Sequence, residues 1–319
     1  MKQLLIYNPT SLADASSYLS KNSNAAAFAG GTDLYQMLKQ NCLANLPTTL
    51  VNLKAIPNLD YITPASGMLK IGPLTKISEI ANNATVQGSY RALAMAAAAT
   101  ASPNLRTMAT IAGNIAQDVW CWYYRQTDNA YNCIRKGGAI CYAVAGDNRF
   151  YHSIFGGPKG CNAIHPSDTA IALSALNASV VTTKQTLTMD NFFADMAPGN
   201  NLATGELIQE IDIPTPASGS NSAFVKFAIR NSIDFALVSA AAWYTPATGA
   251  VTSAKIYLGG VYQTPYHATA AETSITGQTI SATTALAAGK AAIASALPMT
   301  GNSYKKQLSA VAIQRALTT

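Results

Sequence analysis

The chain has 319 residues, of which 49% are hydrophobic and only 11% are charged, and its formal net charge is +6. This length and composition indicate a globular protein with two or three domains. The basic residues are scattered, which argues against nucleic-acid binding, and no apolar run approaches the length of a membrane span.

The N-terminal part alternates between short apolar runs and segments with helical spacing, which predicts an α/β arrangement. The predicted strands are Leu4–Tyr7, Ala26–Ala29, Leu50–Leu53 and Met68–Ile71, and the predicted helices are Ser11–Leu19 and Leu34–Gln40.

A glycine pair separates one of these strands from the helix that follows. Gly30-Gly31 leads into Thr32-Asp33, whose side chains can cap the helix. A strand, a glycine pair and a capped helix direct free backbone N–H groups and the helix dipole towards one place, which predicts an anion site. Paired glycines before a helix also occur in simple tight turns, so this motif alone does not settle the function.

A second loop of small residues follows the predicted helix Tyr90–Thr100. Within Met108–Ile115 the small residues are Ala109, Thr110, Ala112, Gly113 and Asn114. Small side chains allow the backbone to approach a ligand closely. Two such loops predict a cradle for the two phosphates of one pyrophosphate. Neither loop follows the G-x-G-x-x-G fingerprint, so a Rossmann site is not expected.

Four of the five cysteines lie within 41 residues of an irregular, aromatic segment. They are Cys121, Cys133, Cys141 and Cys161, with 11, 7 and 19 residues between them. This is not the paired Cys-x-x-Cys spacing of a zinc ribbon, whereas four thiolates are what a 4Fe-4S cube needs. Two disulfides, four buried thiols or a four-cysteine zinc site are the alternatives. The fifth cysteine, Cys42, is predicted to be a buried thiol.

The clearest linker is the segment from Pro214 to Ser222, which is rich in Pro, Ser and Gly and predicts a domain boundary. Before it, Asp168–Ala178 is predicted to be a helix and Leu207–Ile213 a strand. Beyond it, the predicted strands are Ala223–Ile229, Ala236–Tyr244 and Ala254–Leu258, and the predicted helices are Thr283–Ala296 and Tyr304–Leu317.

Four motifs in this order resemble the FAD-binding medium subunit of the molybdenum hydroxylases, the xanthine dehydrogenase and aldehyde oxidoreductase family. The loops Ala29–Leu34 and Thr110–Asn114 resemble the two pyrophosphate loops of that family. The block from His165 to Asp168 is similar to its Pro-Ser-Asp flavin segment, and Lys226 through Val238 resembles the start of its C-terminal domain. The resemblance covers essentially the whole chain.

The resemblance implies a set of FAD-binding residues. They are Ala29, Gly30, Gly31, Thr32, Asp33, Leu34, Thr110, Gly113, Asn114, His165, Ser167, Asp168, Lys226, Arg230 and Asp234. Asp168 and Asp234 would accept hydrogen bonds from FAD. Lys226 and Arg230 would place positive charge near the flavin, where it favours the reduced anionic form. His165 would either serve the flavin or act as a structural hydrogen-bonding residue.

The four-cysteine stretch resembles an insertion found in one branch of this family. Hydroxybenzoyl-coenzyme A reductase and periplasmic aldehyde oxidoreductases carry an extra 4Fe-4S cluster in this subunit. The resemblance implies that Cys121, Cys133, Cys141 and Cys161 are metal ligands of such a cluster. The residues after Cys161 resemble the aldehyde-oxidising branch most, and the aromatic residues at 120–124 would shield the cluster from water.

The fold expected from the sequence is therefore α/β plus α+β. It would consist of a two-lobed FAD-binding domain of the vanillyl-alcohol-oxidase type, a cysteine-rich insertion and a C-terminal α+β domain. The FAD-binding domain is expected at 1–214, with lobes at about 1–54 and 55–214 and the insertion at about 118–164, and the C-terminal domain at 215–319.

By resemblance, the chain is an electron-transfer subunit of a molybdenum-dependent complex and has no catalytic residues of its own. A large molybdenum-cofactor subunit would oxidise aldehydes or N-heterocycles, and a small 2Fe-2S subunit would relay the electrons. The FAD and 4Fe-4S cluster of this chain would pass them to a ferredoxin-like or other acceptor. The N-terminus shows no signal-peptide pattern, which favours a cytoplasmic location, or a periplasmic one if a partner exports the complex.

Two other classes of protein have to be weighed against this hypothesis. A self-contained FAD-dependent oxidase of the vanillyl-alcohol type often tethers FAD to a histidine, and no histidine lies in either glycine loop. A zinc-stabilised scaffold without catalytic function would not need paired phosphate loops.

Overall fold

The computed structural model describes residues 3–43, 45–196 and 199–319, which form three β-sheets with helices packed on them. The strands are β1 (Leu5–Tyr7), β2 (Ala25–Phe28), β3 (Thr49–Asn52), β4 (Ile62–Ala65), β5 (Met68–Ile71), β6 (Ser179–Thr182), β7 (Thr186–Thr188), β8 (Ile208–Pro214), β9 (Asn221–Phe227), β10 (Val238–Thr245), β11 (Ser253–Gly259) and β12 (Tyr266–His267). The helices are α1 (Leu12–Lys21), α2 (Leu34–Gln40), α3 (Ile77–Asn82), α4 (Ala84–Ser89), α5 (Arg91–Ala99), α6 (Pro103–Arg106), α7 (Ile111–Ala116), α8 (Asp168–Ala175), α9 (Met189–Phe192), α10 (Thr269–Ile275), α11 (Ala282–Ala292) and α12 (Tyr304–Thr318).

The first sheet is parallel, with the strand order β1-β3-β2. Leu5 of β1 and Ala25 of β2 both pair with Thr49 of the central strand. Val51 and Ala15 are fully buried between this sheet and α1. Because β2 ends at Phe28, its carboxyl end leads directly into the glycine pair, at the edge where open parallel sheets usually bind ligands.

The second sheet is antiparallel, with the strand order β4-β5-β8-β6-β7. Its apolar face packs on a core that includes Ile77 of α3, Leu93 of α5 and Ile171 of α8, all essentially inaccessible to solvent. The short helix α7 contributes Ile111 and Ile115 to the same core. These buried side chains of α7 thus anchor the second glycine-containing loop to the core.

The third sheet is antiparallel, with the strand order β12-β11-β10-β9, and belongs to the C-terminal part of the chain. Val238 of β10, Ile256 of β11 and Ile313 of α12 are fully buried in a separate core. The opposite face of the third sheet contributes Phe224 and Tyr257 to the core of the second sheet, so both sheets pack on that core.

The cysteine-rich insertion, residues 118–164, is mostly irregular and contains short 3-10 turns. Its two ends pair with each other, since the Trp120 N–H donates to the Ile164 carbonyl at 2.8 Å and the Ile164 N–H donates back at 3.3 Å. The insertion also contacts the C-terminal part, where the Ile154 N–H donates to the Val261 carbonyl at 3.0 Å.

Several predicted elements appear with their expected bounds. Met68–Ile71 is a strand and Leu34–Gln40 is a helix, as the apolar patterns predict. The predicted helix Asp168–Ala178 ends earlier, at Ala175, because Asn177 adopts a left-handed conformation with φ of 54°. The predicted linker is shorter than expected, since β8 runs to Pro214 and β9 begins at Asn221.

Candidate functional site

A cleft of about 520 Å³ opens beside the carboxyl end of β2. Residues 26–34 line one side of this cleft, residues between 109 and 118 line the facing side, and residues between 200 and 208 line a third. The two small-residue loops identified in the sequence thus face each other. The volume falls within the range typical of small-molecule sites.

The first loop requires glycine for two different reasons. Gly31 adopts a positive φ of 71°, which L-residues rarely occupy. A Cβ on Gly30 would lie 2.2 Å from the Met108 carbonyl oxygen, so the two loops can meet only because that side chain is missing. All six residues from Ala29 to Leu34 line the cleft.

Asp33 has a different role from the predicted helix cap. In the described part of the chain, its side chain makes no capping hydrogen bond at the start of α2. Both of its carboxylate oxygens instead accept hydrogen bonds from the guanidinium of Arg125, one of them at 3.0 Å. The bidentate pair with Arg125 occupies both carboxylate oxygens and takes the place of the cap.

The second loop is organised by hydrogen bonds between its own polar side chains. Thr110 caps α7 and its hydroxyl accepts from the Gly113 N–H at 3.3 Å. The side-chain oxygen of Asn114 accepts from the hydroxyls of Ser167 and Thr169, both at 2.6 Å. Thr110, Gly113 and Asn114 all line the cleft, and their role in phosphate binding stays a prediction.

His165 and Ser167 lie behind the second loop and are not among the cleft-lining residues described. Ser167 caps α8, and its hydroxyl donates to the side-chain oxygen of Asn114, which lines the cleft. The His165 ring is buried, with Nδ1 accepting from the Ser167 N–H at 3.3 Å and with an edge contact to Phe193. Burial lowers the pKa of His165 to about 4, so the ring is neutral at physiological pH.

The remaining four predicted FAD-binding residues form two ion pairs away from the described cleft walls. The Lys226 ammonium lies 2.6 Å from the buried carboxylate of Asp168 and also donates to the Ala99 carbonyl. Burial raises the pKa of Asp168 even though the charge of Lys226 opposes this shift. The Arg230 guanidinium, which is exposed, is paired with Asp234 four residues later. A role of these residues in FAD binding stays a prediction.

Other residues that line the cleft had no signal in the sequence. Asp118, Asn200 and Glu206 contribute polar side chains to its walls. Glu206 is held in place by the Thr182 hydroxyl and by the Ala203 N–H at 2.8 Å. These residues reach the cleft through long-range packing, which a local pattern does not reveal.

The four cysteines of the insertion lie close together as free thiols. Cys121, Cys133 and Cys161 are buried in one small core of the insertion, and Cys141 is half-buried. The Sγ atom of Cys121 is 3.3 Å from Nε2 of the buried His152. The disulfide alternative is not realised among the described residues, where all five cysteines are free.

Burial is the largest influence on the pKa of Cys121 and of Cys161. It raises the pKa of Cys121 to about 12, opposed by backbone N–H groups of residues 123 and 124 and assisted by the charges of Cys161 and Cys141. Burial likewise raises the pKa of Cys161, while the Ala163 N–H and Arg135 lower it. Without a positively charged ligand, Cys121 and Cys161 therefore stay protonated at neutral pH.

The thiols do not converge on one point. In the ranges that the structure describes, no group of three or more His, Cys, Asp or Glu side chains is arranged to hold a metal ion. A zinc site needs all of its ligands around one ion, so this arrangement argues against the zinc alternative. A 4Fe-4S cube binds each thiolate through a different iron and therefore needs wider spacing around a shared core.

The fold and this cleft define an FAD-binding protein of the molybdopterin dehydrogenases. Residues 2–216 match the family model described as the FAD binding domain in molybdopterin dehydrogenase, and residues 223–319 match the CO dehydrogenase flavoprotein C-terminal domain. The chain belongs to this family and is an FAD-binding medium subunit of the molybdenum hydroxylase type. The expected fold class is thereby confirmed.

Individual relatives agree with this family. The chain is 33% identical to the aldehyde oxidoreductase FAD-binding subunit PaoB of Escherichia coli (strain K12), over 82% of this chain and 83% of the relative. It is 26% identical to the nicotinate dehydrogenase FAD-subunit of Eubacterium barkeri, over 87% of this chain and 81% of the relative. The carbon monoxide dehydrogenase from Hydrogenophaga pseudoflava shares the fold, with a TM-score of 0.77, 24% identity and coverage of 99% of this chain and 96% of that one.

No helix within the described residues is both long and apolar enough to cross a membrane.

Proposed function

We propose that this chain is the FAD- and 4Fe-4S-containing electron-transfer subunit of a molybdenum-dependent complex that oxidises aldehydes or N-heterocycles. The observation that carries the proposal is the cleft between two glycine loops, which the Arg125–Asp33 ion pair joins to the insertion that holds four free cysteines. The cleft suits a dinucleotide, and the cysteines suit a one-electron centre next to it.

The cleft fits FAD through its backbone. The segments 30–33 and 110–114 present small residues, and the missing side chain of Gly30 lets the two loops meet. Backbone N–H groups there would hold the pyrophosphate. The predicted residues His165, Ser167, Asp168, Lys226, Arg230 and Asp234 complete the proposed FAD-binding set. A bound flavin supplies the chemistry that links two-electron oxidation to one-electron transfer.

The insertion fits a 4Fe-4S cluster by the chemistry of its donors. Four thiols share one buried region, and backbone N–H groups already point at two of the sulfur atoms. Lys136 is within interaction range of Cys133 and Cys121, so a positive charge offsets part of the thiolate charge. Cys121, Cys133, Cys141 and Cys161 are the proposed ligands, and such outer groups tune the potential of a cluster.

The proposed partners are a large molybdenum-cofactor subunit and a small 2Fe-2S subunit. The names of the relatives support this proposal, because they denote FAD-binding subunits or medium chains of oxidoreductases for aldehydes, nicotinate and carbon monoxide. Aldehydes are favoured among the substrates because the relative at 33% identity is an aldehyde oxidoreductase subunit. The proposed domain boundary lies between 214 and 215, within the short connection from β8 to β9.

The visible spectrum of the anaerobically purified chain tests the proposal. We expect flavin peaks above a broad iron–sulfur absorption, with about four iron atoms and matching sulfide per flavin. A flavin spectrum without iron would retain the FAD assignment and remove the cluster. A colourless protein that cannot be loaded with FAD would overturn both.

A further inference from the structure

The cleft proposed for FAD carries negative charge on its walls. Its lining includes the carboxylates of Asp33, Asp118 and Glu206, and no lysine or arginine is among the lining residues that the structure describes. A dinucleotide brings a diphosphate with negative charge of its own. Coulomb repulsion in a partly buried site would oppose its binding unless cations lie nearby.

The first such cation is Arg125, which comes from the cysteine-rich insertion. Its side chain is only 2% exposed and forms a bidentate ion pair with Asp33. Its Nε donates to the Val119 carbonyl at 2.9 Å, and the Trp120 ring lies 5.0 Å from the guanidinium carbon. Burial lowers the pKa of Arg125, but the charge of Asp33 and the hydrogen bonds to it outweigh this effect and raise the pKa.

The second cation is Arg135, also from the insertion, whose side chain is fully buried. One terminal nitrogen lies 2.6 Å from a carboxylate oxygen of Asp118, and the other donates to the side-chain oxygen of Gln263 at 3.0 Å. Gln263 in turn donates to the carbonyl of Cys161 at 2.5 Å. The same side-chain network thus joins a cleft acid to a cysteine of the insertion.

These two arginines form ion pairs with two of the three acids that line the cleft. Each ion pair has no net charge, and further hydrogen bonds hold both guanidiniums in place. We propose that Arg125 and Arg135 are positioning residues for FAD, which neutralise Asp33 and Asp118 so that the cleft accepts the diphosphate. The cysteine-rich insertion is then a structural part of the flavin site. This inference rests on the FAD site of the proposed function and not on the cluster.

Substitution of each arginine by glutamine tests the inference in the full chain. Arg125→Gln and Arg135→Gln should each weaken FAD binding on the order of tenfold or more, because each leaves a carboxylate uncompensated beside the diphosphate. FAD is removed from the protein and titrated back, and the dissociation constant is read from the flavin absorption. Arg125→Lys keeps the charge and should retain most of the affinity.

The insertion offers a matched control in Arg149, which is also paired with an aspartate, Asp147, but is 63% exposed, and neither residue is among the cleft-lining residues described. Arg149→Gln should leave FAD affinity unchanged. The double variant Arg125→Gln/Asp33→Asn separates charge from shape. It removes both charges together and keeps the backbone of residue 33, which is the part proposed to bind the pyrophosphate, so it should recover most of the affinity that Arg125→Gln alone loses. Thermal unfolding of each variant shows whether it is folded.

Unchanged FAD affinity in both glutamine variants would overturn the inference while leaving the FAD site intact. It would also be overturned if the affinity fell equally in Arg125→Lys and was not recovered by Asp33→Asn, because the arginines would then serve shape and not charge. A wild-type chain that binds no FAD would refute the proposed function itself, and the inference with it.

Discussion

At the scale of single residues, the glycines differ in what they permit. Gly30 permits contact between two protein loops, because its hypothetical Cβ would meet the Met108 carbonyl oxygen at 2.2 Å. A hypothetical Cβ on Gly113 would lie 3.0 Å from the Thr110 hydroxyl oxygen and near no other described atom, and Gly113 lines the cleft. Gly30 is therefore needed for the packing of the two loops, whereas Gly113 leaves space in the cleft for the proposed ligand.

This difference predicts that Gly113→Val depletes FAD without unfolding the chain, because its methyl groups would fill space that belongs to the diphosphate. Gly31→Val should also deplete FAD, with a loss of stability caused by its positive φ. FAD content and thermal unfolding are measured together. Gly88→Val is the control, since Gly88 lies in an exposed part of α4 with nothing within 4 Å of its Cβ position. Full FAD occupancy in Gly113→Val would show that this loop had been misassigned.

The buried environment of Lys305 leads to a prediction about how stability depends on pH. Its side chain is completely buried and donates to the carbonyls of His152 and Gly260, at 3.2 and 2.7 Å. Burial lowers its pKa from 10.5 to about 7. Between these values the unfolded chain binds more protons than the folded chain, so the contribution of this residue to stability increases as the pH rises.

We therefore expect the free energy of unfolding of the wild type to rise relative to that of Lys305→Met between pH 7 and pH 9. The limiting slope is about 1.4 kcal/mol per pH unit. Urea unfolding at several pH values measures it. Lys306→Met, at the half-exposed neighbouring position, should keep the slope of the wild type. Parallel curves for the wild type and Lys305→Met would contradict the effect of burial.

At the scale of elements, strong local patterns predicted the structure and weak ones did not. The helix α2 and the strand β5 have the predicted bounds because apolar runs and turn residues mark their ends. Short elements such as α9 and β12 were missed, since four or two residues carry no periodicity. The helix α10 was missed because its polar sequence is stabilised by packing against β11.

The cysteine-rich insertion makes its own prediction. Cys133→Ser should abolish the iron–sulfur signal, because a cube needs all four thiolates. The iron and acid-labile sulfide of the purified chain are quantified against flavin. Cys42→Ser is the control, since Cys42 is a buried thiol, as predicted, whose sulfur donates only to the Met37 carbonyl among the described residues. A Cys133→Ser variant with about four iron atoms per flavin would refute the ligand assignment.

At the scale of the whole molecule, the sequence predicted the two loops that line the cleft but not how the charge of the cleft is balanced. Glycines and small residues form contiguous motifs, so the loops 29–34 and 110–114 were recognisable. Arg125 and Asp33 are 92 positions apart, and only the fold brings them together. Ion pairs between distant residues leave no local pattern, which is why both buried arginines were missed.

The low charge of the chain and its proposed role in electron transfer between subunits predict that it functions only as part of a complex. Expressed alone, the chain should retain FAD but bind it less tightly and unfold at a lower temperature than it does in the complex. Expressed together with a large molybdenum subunit and a small 2Fe-2S subunit, it should co-purify as a stable complex, because partners that bind only the folded state stabilise it by mass action. Size-exclusion chromatography and FAD content compare the two preparations. A stable, flavin-loaded monomer that binds neither partner subunit would contradict this expectation.

Anaerobic reduction of the assembled complex by its substrate tests the central claim that electrons pass through this chain. A panel of aldehydes and N-heterocycles is added to the complex while flavin absorption and the iron–sulfur electron paramagnetic resonance signals are followed. We predict that an oxidisable substrate bleaches the flavin of this chain and reduces its cluster only when the molybdenum subunit is present. Flavin that stays oxidised while the other centres of the complex are reduced would contradict the account. So would direct reduction of the isolated chain by an alcohol.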